Sequence, residues 1–106
     1  MASILRVLAT AAALLATTEV QAQSISAGDQ IAHSWCSGCH RVDTEQQKIV
    51  SDAVPPFSSI AQMSSTTAMS LTVFLSTSHE RMPNFSLTRG EIRDVSAYIL
   101  SLRKPQ

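Results

Sequence analysis

Residues 36–40 read Cys36-Ser37-Gly38-Cys39-His40, and both cysteines of the 106-residue chain lie in this stretch. A C-x-x-C-H sequence is the attachment signature of c-type haem. Two intervening residues in a helical turn separate the thiols by about the distance between the two porphyrin vinyl groups. The histidine that follows is placed to bind the iron. The stretch predicts one covalent haem c, attached through Cys36 and Cys39, with His40 as the proximal ligand.

Three other chemistries use closely spaced cysteines. A thioredoxin-like dithiol belongs in a βαβ context, and no strand pattern precedes Cys36. A structural zinc ion needs a second pair of ligands, which His33 and His79 are poorly spaced to supply. A simple disulfide in an exported protein is the strongest rival to haem attachment.

A second iron ligand is available late in the chain, at Met82, where Pro83 stiffens the segment. His/Met ligation closes both faces of the iron and raises its reduction potential. A closed iron exchanges electrons without binding a substrate, so the protein is not expected to be an enzyme. His79 is the alternative ligand and would give a bis-His iron of lower potential, whereas Met69 and Met63 are expected to pack in the core.

The first 22 residues have the pattern of a secretory signal. Arg6 is their first charge, residues 7–17 are an apolar run too short to span a bilayer, and Val20-Gln21-Ala22 suits a signal peptidase. We expect cleavage after Ala22 and a single mature domain over 23–106, soluble in the periplasm, with an uncleaved membrane anchor as the alternative.

The composition limits the function further. The formal net charge is zero, which argues against a nucleic-acid partner, because such a partner requires clustered basic residues. Aromatic residues make up 5% of the chain, and a domain this small often needs a cofactor to complete its core.

Three helices are expected before the last one. The first is predicted to start at a Ser26 cap with Asp29 three residues on, and to run through Trp35 into Cys36. Trp35 is expected beside the porphyrin or in the ordinary core. A short helix over 57–63 should follow Pro55-Pro56, and a third should span 67–76 with a cap among residues 64–66. Its buried face is predicted to consist of Met69, Leu71, Phe74 and Leu75.

The last helix has the clearest signals. Thr88 and Glu91 form a capping box, in which each side chain accepts from an otherwise unpaired backbone N–H. Apolar residues then recur at helical spacing. They are Ile92, Val95, Tyr98, Ile99 and Leu102. Because no β pattern occurs in the sequence, the predicted fold is all-α.

These residues together resemble the class I c-type cytochromes of the small bacterial type, over nearly all of the predicted mature domain. The resemblance rests on Cys36, Cys39 and His40, on Pro55-Pro56, on Met82-Pro83-Asn84-Phe85, and on the run from Glu91 to Ile99. It implies the cytochrome c fold, with about four helices around one covalent haem and an exposed haem edge near the cysteines.

The resemblance also implies particular residue roles. His40 and Met82 would be the axial ligands, and the carbonyl of Pro56 would orient His40, with the adjacent Pro55 as the alternative. The first and last helices would cross where Gly28 meets Tyr98. One departure is Ala32, where the family often has an aromatic four residues before the first cysteine.

The function expected from this sequence is a diffusible, periplasmic single-electron carrier that meets redox partner proteins. The alternative is a haem c subunit bound permanently to a larger exported oxidoreductase. A haem sensor or a peroxidase-like protein would require Met82 to leave the iron.

Overall fold

The computed structural model describes residues 23–44 and 53–105, and the regular structure in those ranges is entirely helical. Its α-helices are α1 (Ile25–Ile31), α2 (Phe57–Gln62), α3 (Ala68–Leu75) and α4 (Arg89–Ser101). The predicted all-α fold is confirmed. The predicted signal, over 1–22, and the middle of the loop after His40 lie outside the described residues.

Helix α1 begins two residues earlier than the sequence suggested. Its cap is Ser24, whose hydroxyl accepts from the Ala27 N–H at 3.0 Å, so the predicted Ser26 cap is wrong. The Ser24 N–H in turn donates to the carboxylate of Asp94, in α4, at 2.9 Å. A tertiary contact 70 residues away therefore fixes where the helix starts.

Helices α1 and α4 cross at Gly28. A Cβ added there would overlap the backbone carbonyl oxygen of Asp94 and would lie 2.8 Å from the Cβ of Tyr98. Only a residue without a side chain permits such a close approach of two helix backbones. The expected meeting of Gly28 with Tyr98 is confirmed.

Helix α4 is built as the sequence predicted. The Thr88 N–H donates to Glu91 Oε2 at 2.7 Å, and the Glu91 N–H donates to Thr88 Oγ1 at 3.2 Å, which completes the capping box. Its predicted apolar face is buried, except that Leu102 is only partly so. The core joins this face to the other elements through Ala32, Val42, Phe57, Ala61, Leu71, Val95, Tyr98 and Ile99.

Helix α3 departs from the prediction in its cap and in its buried face. Thr67 caps it by exchanging hydrogen bonds with Ser70, so the predicted cap among residues 64–66 is wrong. Leu71 is buried, but Met69 is 77% exposed and Phe74 is 43% exposed, so their predicted burial is wrong. Apolar residues occur on several sides of this short helix, and periodicity therefore could not select the side that faces the core.

Arg103 joins the end of α4 to the connection between α2 and α3. Its Nε donates to the carbonyl of Ala61 at 2.7 Å, and its Nη2 donates to the carbonyl of Thr66 at 2.6 Å. A positive charge is also favourable at this end of a helix because of the helix dipole. Among the residues described, no helix is long and apolar enough to cross a membrane.

Candidate haem site

Residues 36–40, which we call the haem-binding turn, are reached through an unusual end of the first helix. Beyond Ile31 the chain continues as a turn of π-helix over Ala32–Cys36, and the Ser37 N–H donates to the carbonyl of Ala32 at 3.0 Å. Single π turns of this kind are rare in proteins, and those that occur are often found at functional sites. Cys36 is the last residue of this wider turn and is half-buried.

The backbone of the haem-binding turn is held by hydrogen bonds to the carbonyl of Cys36. The N–H groups of Cys39 and His40 both donate to the Cys36 carbonyl, at 3.2 and 2.9 Å. Neither cysteine is in a disulfide. The turn therefore brings two free thiols and one imidazole together within a single loop of backbone.

Burial raises the pKa of the Cys36 thiol to about 11, so this thiol is protonated at neutral pH.

The imidazole of His40 is held in one tautomer. Its Nδ1 lies 2.7 Å from the carbonyl oxygen of Pro55, which can only accept, so Nδ1 carries the proton. The Nε2 lone pair is then available to a metal, and a carbonyl partner of this kind is the usual support of a metal-bound histidine. The ring of Phe57 lies 5.2 Å away, tilted by 52°.

The orienting carbonyl is that of Pro55, and the implied role of Pro56 is corrected. The Pro56 carbonyl is already used at the start of α2, where it accepts from the N–H groups of Ser59 and Ile60 at 3.0 and 3.2 Å. Pro56 is the cap residue of that helix, and its carbonyl belongs to the first helical turn. The carbonyl one residue earlier remains for His40.

Two long-range hydrogen bonds hold the chain after His40 in place, and the sequence analysis did not predict either of them. The Phe57 N–H donates to the carbonyl of Arg41 at 2.9 Å, and the Tyr98 hydroxyl donates to the carbonyl of Val42 at 2.7 Å. Burial, together with the negative charges of Asp29 and Asp43, raises the pKa of Tyr98 to about 12. The sequence marked Tyr98 as buried, but nothing in it identified the partner of the hydroxyl.

The segment over 82–88, which we call the Met82 segment, has no helix. Met82 is half-buried. The side-chain oxygen of Asn84 accepts from the Ser86 N–H at 2.8 Å, and Ser86 adopts a left-handed backbone with φ of 54°. The ring of Phe85 lies 5.5 Å from that of Trp35, which connects this segment to the residue before Cys36.

The other two histidines have partners outside the haem-binding turn. His79 Nε2 lies 3.0 Å from the carbonyl of Phe74, and the two rings stack at 3.8 Å. His33 Nδ1 lies 2.9 Å from the carbonyl of Asp29, and its Nε2 lies 2.7 Å from the Asp43 carboxylate. The Asp29 carbonyl, followed by the Asp43 carboxylate, raises the pKa of His33.

This donor set fits haem c. Cys36 and Cys39, two free thiols separated by two residues, would hold the haem through thioether bonds, and the free Nε2 of His40 would be available to its iron. A structural zinc ion needs four ligands, and among the described residues no group of three or more His, Cys, Asp or Glu side chains is placed to hold a metal ion. When bound, haem c supplies a one-electron Fe(III)/Fe(II) couple.

Comparisons with known proteins agree with this geometry. The family model for cytochrome c matches residues 25–103. A protein named cytochrome c-552, from Bradyrhizobium diazoefficiens, is 41% identical over 76 residues, which cover 72% of this chain and 72% of that protein. Among solved structures, none matches at a significant level. This chain belongs to the cytochrome c family and is a class I c-type cytochrome that binds haem c and carries electrons.

Proposed function

We propose that this cytochrome carries single electrons in the bacterial periplasm, with its iron held between His40 Nε2 and the Met82 thioether. The observation that carries the proposal is the 2.7 Å hydrogen bond from His40 Nδ1 to Pro55, because it leaves Nε2 free and fixes the plane of the ring. The chain's own part is to orient the ligands and exclude water, while the redox couple belongs to the cofactor.

Met82 is favoured as the second ligand by the positions of its competitors. His79 gives its Nε2 to the Phe74 carbonyl, and Met69 is largely exposed on α3. Met82 is half-buried on an irregular segment that contacts Trp35 through Phe85. With both faces of the iron occupied, no position remains for a substrate, and we therefore propose a carrier and not an enzyme.

Export is proposed from the sequence of residues 1–22. The charged start, the apolar run and the small residues up to Ala22 match a cleaved signal. N-terminal sequencing of the exported protein should give Gln23 as the first residue. A chain that still begins at Met1 would favour the anchored form.

The ligands are tested on holoprotein made in a bacterium with the c-type maturation machinery. Acid–acetone should leave the colour on the protein, and the reduced native protein should not bind carbon monoxide. Met82→Ala should keep the covalent haem, bind carbon monoxide and have a lower potential. His79→Ala is the matched control and should behave like the parent. An unchanged spectrum and potential in Met82→Ala would exclude Met82 as the ligand.

A permanently bound subunit of a larger oxidoreductase is the second candidate, and one observation favours it. Met69 and Val73 lie one turn apart on α3 and are 77% and 62% exposed. Exposed apolar side chains of this kind mark contact surfaces when they are contiguous. Gel filtration of the periplasmic fraction separates the two candidates, because a free carrier elutes at the size of a small monomer.

A further inference from the structure

His33 has an oxygen acceptor at each of its two ring nitrogens. Its Nδ1 lies 2.9 Å from the carbonyl and 2.8 Å from the carboxylate of Asp29, and its Nε2 lies 2.7 Å from the carboxylate of Asp43. A neutral imidazole carries one N–H, so one of its nitrogens would present a lone pair to an oxygen lone pair. Both contacts are hydrogen bonds only when the ring is protonated. We call Asp29, His33 and Asp43 the His33 cluster.

The His33 cluster connects the two ends of the haem-binding turn. His33 lies three residues before Cys36 on the π turn, and Asp43 lies three residues after His40. The Ser37 hydroxyl also donates to the His33 carbonyl at 2.6 Å. The contact between His33 and Asp43 therefore closes a loop of chain that contains the whole haem-binding turn. A proton on His33 adds positive charge next to the segment that would hold the iron.

The charge of the cluster is set by a small number of groups. In the part of the chain that the structure describes, the charged side chains that act on His33 are Asp29, on α1, and Asp43, beyond the haem-binding turn. From α4, Tyr98 also interacts with both carboxylates, but burial first and then their charges raise its pKa to about 12, so it is uncharged near neutral pH. Asp94, also on α4, is bonded to the start of α1.

The cluster is open to water. The side chains of Asp29, His33 and Asp43 are 49%, 47% and 31% exposed. A proton can therefore reach the His33 ring directly from solvent. Since the core of the fold does not include this ring, its protonation can change while the helices stay packed.

We propose that His33 is a redox-linked proton site, which binds a proton more tightly when the iron is reduced, so that the reduction potential falls as the pH rises. His33 gains one proton from solvent as the iron gains one electron from its donor, and the reverse occurs on oxidation. Reduction removes one positive charge from the iron and so weakens its repulsion of the protonated ring. By linkage, the protonated ring favours the reduced iron by the same factor. The proposal rests on the proposed function for the one-electron couple, and it holds for either candidate distal ligand.

The test measures the midpoint potential of the holoprotein by voltammetry from about pH 5 to about pH 9, the range in which histidines titrate. The main variant is His33→Asn, whose side chain is polar but does not take up a proton. The matched control is His79→Asn, which removes a histidine whose Nε2 faces the Phe74 carbonyl instead of a carboxylate. A second variant, Asp43→Asn, keeps His33 and removes the charge facing its Nε2.

We expect His33 in the parent to bind its proton about threefold more tightly in the reduced protein, because water weakens the interaction of a half-exposed charge. At about 59 mV per tenfold for one electron, the potential should fall by about 30 mV as the pH rises through the raised pKa of His33. Titration of the His33 ring protons by NMR in both oxidation states measures the same factor without an electrode. His33→Asn should lose the fall, His79→Asn should keep it, and Asp43→Asn should move it to lower pH.

Four outcomes would overturn the proton site. A fall retained in His33→Asn would assign it to another group, such as the carboxylates of the haem itself. The other three are an equal loss in His79→Asn, an unchanged pH range in Asp43→Asn, and the same pKa for His33 in both oxidation states. A parental wave that is reversible but independent of pH refutes the proton linkage alone. The absence of any reversible one-electron wave refutes the proposed function as well.

Discussion

The chain secures its two proposed iron ligands in different ways. The part around His40 is held by hydrogen bonds between residues far apart in sequence, from His40 to Pro55, from Phe57 to Arg41 and from Tyr98 to Val42. In the Met82 segment, Leu87 packs against the core and Thr88 caps α4, whereas the hydrogen bond and ring contact described for residues 82–86 are the local bond between Asn84 and Ser86 and the exposed ring contact of Phe85.

The difference indicates that the part around His40 and the Met82 segment affect different properties of the protein. The helices and the core already fix the orientation of His40, so substitutions there should act mainly on the stability of the fold. Residues 82–86 depend on a local turn, and substitutions there should act mainly on ligation and potential. Local structure with few buried contacts opens at lower free energy than the core does.

Gly28→Ala should have the largest effect on stability, because its Cβ would overlap the Asp94 carbonyl and force α1 away from α4. A loss of about 3 kcal/mol in the free energy of unfolding is expected, at the upper end of the usual cost of overpacking, because the added atom would meet backbone. Urea unfolding of the holoprotein measures it.

Gly90→Ala is the control for Gly28→Ala. It lies in α4, where an added Cβ would meet its nearest atom at 3.7 Å, an ordinary contact. The better helix propensity of alanine should leave stability unchanged or raise it by up to about 1 kcal/mol. Equal stability of the two variants would show that the helix crossing does not determine the stability of the part of the chain around His40.

Tyr98→Phe should cost about 1–2 kcal/mol, because the buried carbonyl of Val42 loses this donor. The pKa of Tyr98 is raised from 10.0 to about 12, so its contribution to stability is fully present below pH 10.0 and is lost as the pH rises towards 12. Urea midpoints across that range should fall more steeply for the parent than for the variant. Parallel curves would contradict a buried, neutral Tyr98.

Sequence reasoning predicted the parts of this molecule that are local. Three of these parts are specified by residues only a few positions apart: the capping box of α4, the apolar face of α4 and the C-x-x-C-H motif of residues 36–40. The all-α fold was predicted from such local patterns. The Ser24 cap depends on a tertiary contact, the hydrogen bond from Ser24 to Asp94. The partner of His40 is Pro55 because the Pro56 carbonyl accepts hydrogen bonds within the first turn of α2.

The same limit explains the errors on α3 and the missed role of Arg103. Met69 was assigned to the core because its neighbours are apolar, but the side of α3 that faces α4 is decided by the packing of both helices. The three carbonyls within reach of Arg103 belong to Ala61, Met63 and Thr66, about 40 residues away. No pattern along the chain specifies such a contact.

Asn84→Ala tests the Met82 segment. Removing the acceptor of the Ser86 N–H should cost at most about 1 kcal/mol of stability, since the site is exposed. Carbon monoxide binding to the reduced holoprotein should nevertheless increase, because a looser segment releases the proposed Met82 ligand more often. Tyr98→Phe provides the comparison and should bind no more carbon monoxide than the parent, despite its larger loss of stability.

Ser86→Gly is the opposing change in the same segment. The left-handed backbone at Ser86 suits glycine, so this substitution should keep stability within about 1 kcal/mol of the parent and leave carbon monoxide binding low. A larger effect of Tyr98→Phe than of Asn84→Ala on carbon monoxide binding would contradict the division between the two sides.

The smallest effect is expected at His33, which connects α1 to the chain after His40 through Asp29 and Asp43. These partners raise the pKa of His33 above 6.5. The contribution of protonated His33 to the stability of the fold is therefore fully present below pH 6.5 and is lost as the pH rises through the raised pKa. The side chain is 47% exposed, and solvent screening limits the effect to below about 1 kcal/mol. His33→Asn should lose this pH dependence of the urea midpoint while resembling the parent at alkaline pH. A loss in His33→Asn as large as that in Tyr98→Phe would mean that exposed charge, and not buried hydrogen bonding, orders the His40 side.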